Sequence, residues 1–460
     1  MLKIFSRHLS IPGVVLWSSE SLLIVSVMWA ALAVSWQGGH ALGVQAGPLV
    51  VTVVGVTGLC QLLLYYHNLY LDLRHPTWES CLKILQSIGL AALIVAGLGM
   101  VFPQWGVGRG MLGAMAVVPF ALILWRLAYT QVVASRAFEH RVLLVGTSRL
   151  ADDLVMALNT HPGLAYAISA RLPELPLGET TAMGSPQGRG VDLLRIVRQS
   201  RIDHVVIALG DSRGKLPIAD LLRLKFSGVS IEDGLSLYER VMGKVHIDAV
   251  KPSWLIFSEG FRRNVVTASA KRAMDLAGAL VSLAVVAPLG AILAVLIKLD
   301  SPGPVLYRQE RVGEHGRPFM LFKFRSMRHD AEAITGPVWA KQNDDRTTRV
   351  GRWLRTLRLD EVPQIINVLR GEMSFVGPRP ERPCFVEQLE ARIPYYGFRH
   401  TVKPGITGWA QVRYRYGSSV EETAEKLQYD LCYVKNLSLM LDMTILIDTV
   451  KIVLTGRGSR

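Results

Sequence analysis

Cysteine is scarce in this chain. Four are present in 460 residues, at Cys60, Cys81, Cys384 and Cys432, and no two form a CxxC pair. That excludes a disulfide framework and a thiolate metal site, and leaves reduced thiols. Charge is also thin: 19% of residues are charged while half are hydrophobic. Acids are the minority, 37 against 51 Lys and Arg, giving a net charge of +14. A nucleic-acid binder could share that charge but not the long apolar runs, so nucleic acid is excluded as a partner. The composition points to a membrane protein whose polar parts face anionic phosphates or lipid headgroups. No small-residue cleavage site follows the first apolar run, so this run is expected to be an anchor and not a removed signal.

Four apolar segments, about Val14–Trp36, Val44–Tyr66, Leu82–Phe102 and Met111–Tyr129, are each near the ~20 residues that cross a bilayer as a helix. Lys3 and Arg7 precede the first, and the loop after it has no Lys or Arg. Arg74 lies in the next loop with Lys83 at the start of the third segment, Arg109 is alone in the third loop, and Arg126 near the end of the fourth segment is followed by Arg136 and Arg141. This bias places the N-terminus and everything beyond Tyr129 on the cytoplasmic side. Trp36, Tyr65, Trp105 and Trp125 sit near span ends, as interfacial aromatics do. Glu20 is an anomaly inside the first span: either a lipid-facing functional carboxylate or a residue near the headgroups.

Residues 140–250 alternate helix and strand. Arg141 to Thr147 reads as a buried strand entering a glycine turn, then Leu150–Leu158 as a helix; Val191–Gln199, Ile202–Leu209, Leu216–Phe226 and Val229–Glu232 continue the pattern. This predicts a small parallel α/β domain of Rossmann-like type. The turn Gly146-Thr147-Ser148-Arg149-Leu150-Ala151 has one glycine where a dinucleotide fingerprint needs three. The domain is therefore read as structural or regulatory. Residues 251–270 read as a connector.

A further apolar run, Leu276–Leu299, carries Pro288 at its middle. Basic residues flank both sides: Arg262, Arg263, Lys271 and Arg272 before it, and Lys298, Arg308 and Arg311 after. A spanning helix would leave one basic flank outside; a helix bent at Ala287-Pro288 that returns to its own side would not. Phe319–Met327 alternates as a strand and presents Lys323 and Arg325 in one row. Then comes Arg355 to Pro380. Leu359, Val362, Ile366 and Leu369 recur at helical spacing, so Glu361–Leu369 reads as a short helix with Asp360 at its N-cap and Pro363 in its first turn. Arginines lie on either side: Arg355 and Arg358 upstream, and Arg379 between two prolines downstream. A carboxylate pair ringed by guanidiniums suits chemistry on a phosphorylated substrate, while an Asp before a helix is ordinarily a cap. The residues alone leave both roles open.

LDEVPQIINVLRGEMSFVGPRP, VKPGITGWAQV (Val402–Val412) and SWLIFSEGFRR (Ser253–Arg263) resemble the bacterial sugar transferases, the monotopic phosphoglycosyl transferases of exopolysaccharide assembly. The catalytic resemblance covers about Lys271 to Gly456. It implies transfer of a sugar-1-phosphate from a UDP-sugar to undecaprenyl phosphate, with release of UMP. It also implies Asp360 as nucleophile, Glu361 as its partner, and Mg²⁺ held by Asp360 and Glu361. Lys323, Arg325, Arg355, Arg379, Arg311 and Asp430 would contact phosphate or nucleotide, and Ala287-Pro288 would form the re-entrant bend. Trp409, Arg413, Tyr414 and Arg415 could stack on a base or lie at the lipid interface. The expected architecture is a membrane α-helical N-terminal bundle plus α/β. Four transmembrane helices (1–130) and a Rossmann-like α/β domain (140–250) lead through the connector to a catalytic α/β domain (271–460), anchored by a re-entrant helix (273–299). The implied setting is the bacterial inner membrane with the catalytic domain cytoplasmic, in contact with membrane lipids, as a homodimer. The alternative is a catalytically silent membrane scaffold or sensor for polysaccharide assembly.

Overall fold

The computed structural model describes residues 3–4, 7–8, 11–37, 46–67, 69–70, 77–101, 109–134, 140–160, 166–173, 193–210, 216–261, 264–328, 346–414 and 419–455. Arg74, Trp105, Arg136, Arg262, Arg263 and Arg415 lie outside the described residues, as does the side chain of Trp36. The chain divides into two compact units, Met1–Leu237 and Tyr238–Arg460.

In the first unit, α1 (Ile11–Gln37), α2 (Ala46–Tyr66), α3 (Trp78–Val101) and α4 (Arg109–Ala134) fall where the apolar runs predict them. They pack on a shared core that includes Ile24, Met28, Val53, Ile88, Met115 and Leu122. Glu20 points into this interior, fully buried, and neither to lipid nor to the headgroups. Its carboxylate accepts from Arg126 Nε at 2.6 Å and Nη2 at 3.1 Å, and from the Tyr70 hydroxyl at 2.6 Å. Arg126 also donates to Leu69 O at 2.9 Å. Burying either charge alone would be costly, and the pair offsets that cost while joining α1, α4 and the chain after α2. Arg126 is thus an internal partner of Glu20, not a free flanking charge.

A parallel four-stranded sheet follows in the order β2-β1-β3-β4: β1 (His140–Val145), β2 (Tyr166–Leu172), β3 (His204–Ile207) and β4 (Ser230–Asp233). Helices α5 (Arg149–Thr160), α6 (Leu193–Gln199) and α7 (Ile218–Phe226) alternate with the strands. Gly146 adopts φ +130°, and a Cβ there would lie 2.2 Å from Ala208 O. Ser148 Oγ donates to the same carbonyl at 2.6 Å. The glycine therefore serves close packing of the β1 turn against the end of β3, which favours the structural reading of this turn.

The second unit opens with α8 (Gly234–Met242, its first residues in the preceding unit), a 3₁₀ turn at Ile247–Ala249 and α9 (Pro252–Phe257). The long helix α10 (Val265–Asp300) comes next, then an antiparallel hairpin of β5 (Leu306–Val312) and β6 (Pro318–Phe324). After α11 (Arg349–Thr356) come α12 (Ile365–Arg370) and β7 (Ser374–Val376), which pairs in parallel with β8 (Gly405–Thr407). Helices α13 (Pro383–Glu390), α14 (Trp409–Arg413), α15 (Val420–Lys435) and α16 (Leu439–Thr455) complete the unit.

Residues 239–245, expected within the α/β domain, are bonded into the second unit. Lys244 pairs with Glu425, Val245 N donates to Gln428 O at 3.0 Å, and Glu239 pairs with Lys435. Trp409 is buried, its Nε1 donating to Gly243 O at 2.7 Å under the Arg413 guanidinium, 4.4 Å from the ring centroid. Trp409 therefore fastens this segment to α14 and α15; it is available neither to a base nor to lipid.

Candidate active site

Asp360 and Glu361 do not open a helix as the spacing predicts. Leu359–Gln364 is a 3₁₀ turn, and α12 begins only at Ile365. The residue before the turn, Arg358, sits in the left-handed region at φ 56°, and no side chain caps it. Pro363, inside the turn, lacks the N–H and fixes φ, so the tighter turn precedes the α-helix proper. Asp360 is therefore not an N-cap. With α12 only six residues long, positive potential at the acids comes chiefly from side chains and not from the helix dipole.

Those side chains come from separate elements. Lys323 on β6 reaches Glu361 Oε1 at 3.3 Å, and Arg379 reaches the same oxygen at 2.9 Å. Burial works to raise the Glu361 pKa, but Arg379 and Lys323 outweigh it and hold the group at about 2. Asp360 behaves oppositely. Burial and then the Glu361 charge raise its pKa, against the pull of Lys323, Arg379 and Arg355. Its carboxylate makes no hydrogen bond or ion pair with any described residue. One acid is thus held ionised in a clamp, and the adjacent one is engaged by no described residue. Arg355, whose charge acts on Asp360, donates to Thr347 Oγ1 at 3.2 Å.

Three of the residues expected to touch substrate are bonded within the protein. Arg325 is buried and donates to the carbonyls of Ile297, Ser301 and Pro302, at 3.2, 2.6 and 2.9 Å, which caps the C-terminus of α10. Asp430 is 2% exposed and paired with Arg399, its Oδ2 at 2.8 Å from Nη2. Arg311 donates to Pro380 O at 3.1 Å and to Gln309 Oε1 at 2.6 Å. The sequence supplies the charge of these residues but not the carbonyls that engage the two arginines or the guanidinium that engages Asp430.

Two residues that organise the site were missed. Asn367 Oδ1 accepts from Phe322 N at 3.1 Å and its Nδ2 donates to Met320 O at 2.7 Å, fixing α12 to β6 beside Lys323. An amide among the apolar residues of that helix was the available signal. Arg272 donates to Val368 O and Leu369 O at 2.6 and 2.9 Å and closes the C-terminus of α12. Both ends of α10 are tied to this unit: Lys271 to Asp442 at 2.6 Å, and Asp300 Oδ2 to Val350 N at 3.0 Å. Between them, Leu283, Val286, Ala287 and Gly290 of α10 face Val362, Pro363, Ile365 and Ile366 across an apolar cavity of about 200 Å³.

No cluster of three or more His, Cys, Asp or Glu able to hold a metal occurs among the described residues. Two adjacent carboxylates, one of them bonded to no described residue, do fit Mg²⁺, which is commonly held by one or two carboxylates completed by substrate phosphate and water.

Residues 266–456 match the family described as bacterial sugar transferase. The chain is 42% identical over 240 residues to the UDP-N-acetylgalactosamine-undecaprenyl-phosphate N-acetylgalactosaminephosphotransferase of Aeromonas hydrophila, covering 52% of this chain and 56% of that protein. It is 32% identical over 323 residues to the undecaprenyl-phosphate glucose phosphotransferase of Komagataeibacter xylinus, covering 69% and 59%. It is also 32% identical over 320 residues to the UDP-glucose:undecaprenyl-phosphate glucose-1-phosphate transferase of Klebsiella pneumoniae, covering 68% and 67%. The match thus spans little more than half the length of the first two.

Proposed function

Because this chain belongs to the bacterial sugar transferase family, we propose that it transfers a sugar-1-phosphate from a UDP-sugar to undecaprenyl phosphate, with Asp360 as the covalent carrier. The observation that carries this reading is the division of labour between the two acids: Glu361 is clamped by Arg379 and Lys323, while the Asp360 carboxylate is bonded to none of the described residues. An Asp360 oxygen attacks the β-phosphorus, the bond from that phosphorus to the oxygen bridging the two phosphates breaks, and UMP leaves with that oxygen. An oxygen of the lipid phosphate then attacks the same phosphorus, restoring the carboxylate and giving the lipid-diphosphate sugar. A carboxylate is a weak nucleophile toward an anionic diphosphate, so Arg379, Lys323 and Arg355 must offset charge as it develops. Asp360 and Glu361 would hold Mg²⁺, which when bound adds charge neutralisation at the diphosphate. The relatives' named sugars differ, N-acetylgalactosamine in one and glucose in two, so the sugar is left open. The test is transfer of radiolabel from a panel of UDP-sugars into an organic-extractable product. Failure with every UDP-sugar, in protein shown to be folded, would favour the silent scaffold.

The lipid acceptor is supported by the apolar cavity, whose Val362 and Pro363 directly follow the acids. The proposed topology is supported by α10. A straight helix of 36 residues is about 54 Å long, against a hydrocarbon core of about 30 Å. Yet Lys271 and Asp300 are both held by one folded unit, which a bilayer between them would divide. A re-entrant course bent at Ala287-Pro288 keeps both ends, and the catalytic unit, on the cytoplasmic face of the inner membrane. Single cysteines at Ser269 and Ser301, in a background without the native four, are expected to resist an impermeant maleimide outside intact cells. In a Pro288→Leu variant position 301 should begin to react. Outside labelling of position 301 in the parent would refute the re-entrant course.

A further inference from the structure

We propose that Arg399 and Arg311 are positioning residues for Arg379, acting through the carbonyls of the loop that presents it. This rests on the reading of Asp360 and Glu361 as the reacting centre. The loop Gly377–Glu381 contains Pro378 and Pro380, which have no N–H with which to join a ladder. Its carbonyls do the holding. Pro378 O accepts from Gly405 N at 3.0 Å and Glu381 O from Val312 N at 2.9 Å. Between these backbone anchors, Arg379 O accepts from Arg399 Nη2 at 2.9 Å and Pro380 O from Arg311 Nη1 at 3.1 Å. Two guanidiniums thus grip the residue whose own guanidinium reaches Glu361.

Arg399 is itself fixed. Asp430 Oδ2 lies 3.0 Å from its Nε and 2.8 Å from its Nη2, and Nη1 donates to the Tyr396 hydroxyl at 2.8 Å. A buried ion pair of this kind is weak evidence of net stabilisation. What it does fix is direction: Nη2 bridges Asp430 and the Arg379 carbonyl. A displacement of that carbonyl would carry the Arg379 side chain away from Glu361, and a misplacement of 1 Å at a reacting centre can cost about a hundredfold in rate.

A purely structural role and a positioning role differ in how they combine with loss of Arg379. Transfer kinetics and thermal midpoints are measured on the full chain carrying Arg379→Met, Arg311→Met, or Arg399→Gln with Asp430→Asn, and on each of the latter two combined with Arg379→Met. The neutral pair is used because removing Arg399 alone strands a buried carboxylate. Should that pair fail to fold, the Arg311→Met arm decides, since Arg311 is partly exposed. Each change is expected to lower kcat about tenfold or more with KM moved less than about threefold, and to add nothing further once Arg379 is gone. The same fractional loss in both backgrounds, or a parental kcat, would overturn the proposal. Arg379→Met with unchanged kcat would fail differently: it would remove Arg379 from the reacting centre, and the positioning role with it.

Discussion

Asp360→Asn is expected to lower transfer by on the order of 10³-fold or more while leaving the thermal midpoint nearly unchanged. The amide keeps the shape of the side chain but loses the charge and nucleophilicity of the carboxylate. It also breaks nothing, because the Asp360 carboxylate bonds to no described residue and caps no helix. Glu361→Gln should behave differently. It removes the charge that Arg379 and Lys323 share, so stability and activity should fall together, the two cations being left to repel across a part-buried site. Enzyme kinetics and calorimetry on the two variants side by side separate the roles. An Asp360→Asn protein with more than a few per cent of parental transfer would exclude the nucleophile assignment.

The second large effect concerns where the catalytic unit begins. A fragment starting at Gly234 keeps α8 whole and is expected to bind membrane and transfer sugar-phosphate. One starting at Lys251 is expected to lose most activity. The shorter fragment discards Glu239, Gly243, Lys244 and Val245, stranding Glu425, Lys435 and the Trp409 indole N–H. Trp409 is buried and the Lys435 side chain nearly so, and each buried group left unsatisfied costs about 1–3 kcal/mol, a large share of a domain's stability. The damage falls on α15, which carries Asp430 and so the support of Arg399. Comparison of the two fragments by detergent size-exclusion and transfer assay decides the point. Parental activity from the fragment beginning at Lys251 would contradict it.

Elements with their own apolar periodicity were legible in the sequence. The four N-terminal helices and β1 lie within a few residues of their expected bounds, since burial along a helix or strand is written locally. β2 was not foreseen: at the sheet edge only Tyr166 of its seven residues is buried, so it lacks the continuous apolar run of β1. The charged residues were legible as types and not as partners. Glu20 meets Arg126 across 106 positions, and Arg399 meets Asp430 across 31. No spacing rule links such pairs, so the expectation that Asp430 and Arg325 contact a ligand rests on the resemblance, while the partners that engage them appear only in the fold. The sequence locates the Asp-Glu turn but not its 3₁₀ geometry. Helical spacing of Leu359, Val362, Ile366 and Leu369 does not distinguish a 3₁₀ turn feeding an α-helix from one continuous helix.

The central claim is that Asp360 carries the phosphosugar between donor and acceptor. Full-length protein would be incubated with a UDP-sugar labelled in its β-phosphate, without lipid acceptor, then quenched in acid and mapped by peptide. The account predicts label on the peptide containing Asp360, sensitive to hydroxylamine, accompanied by UMP release and chased into lipid when undecaprenyl phosphate is added. Label that never appears on protein, with UMP released only when the lipid is present, would contradict it.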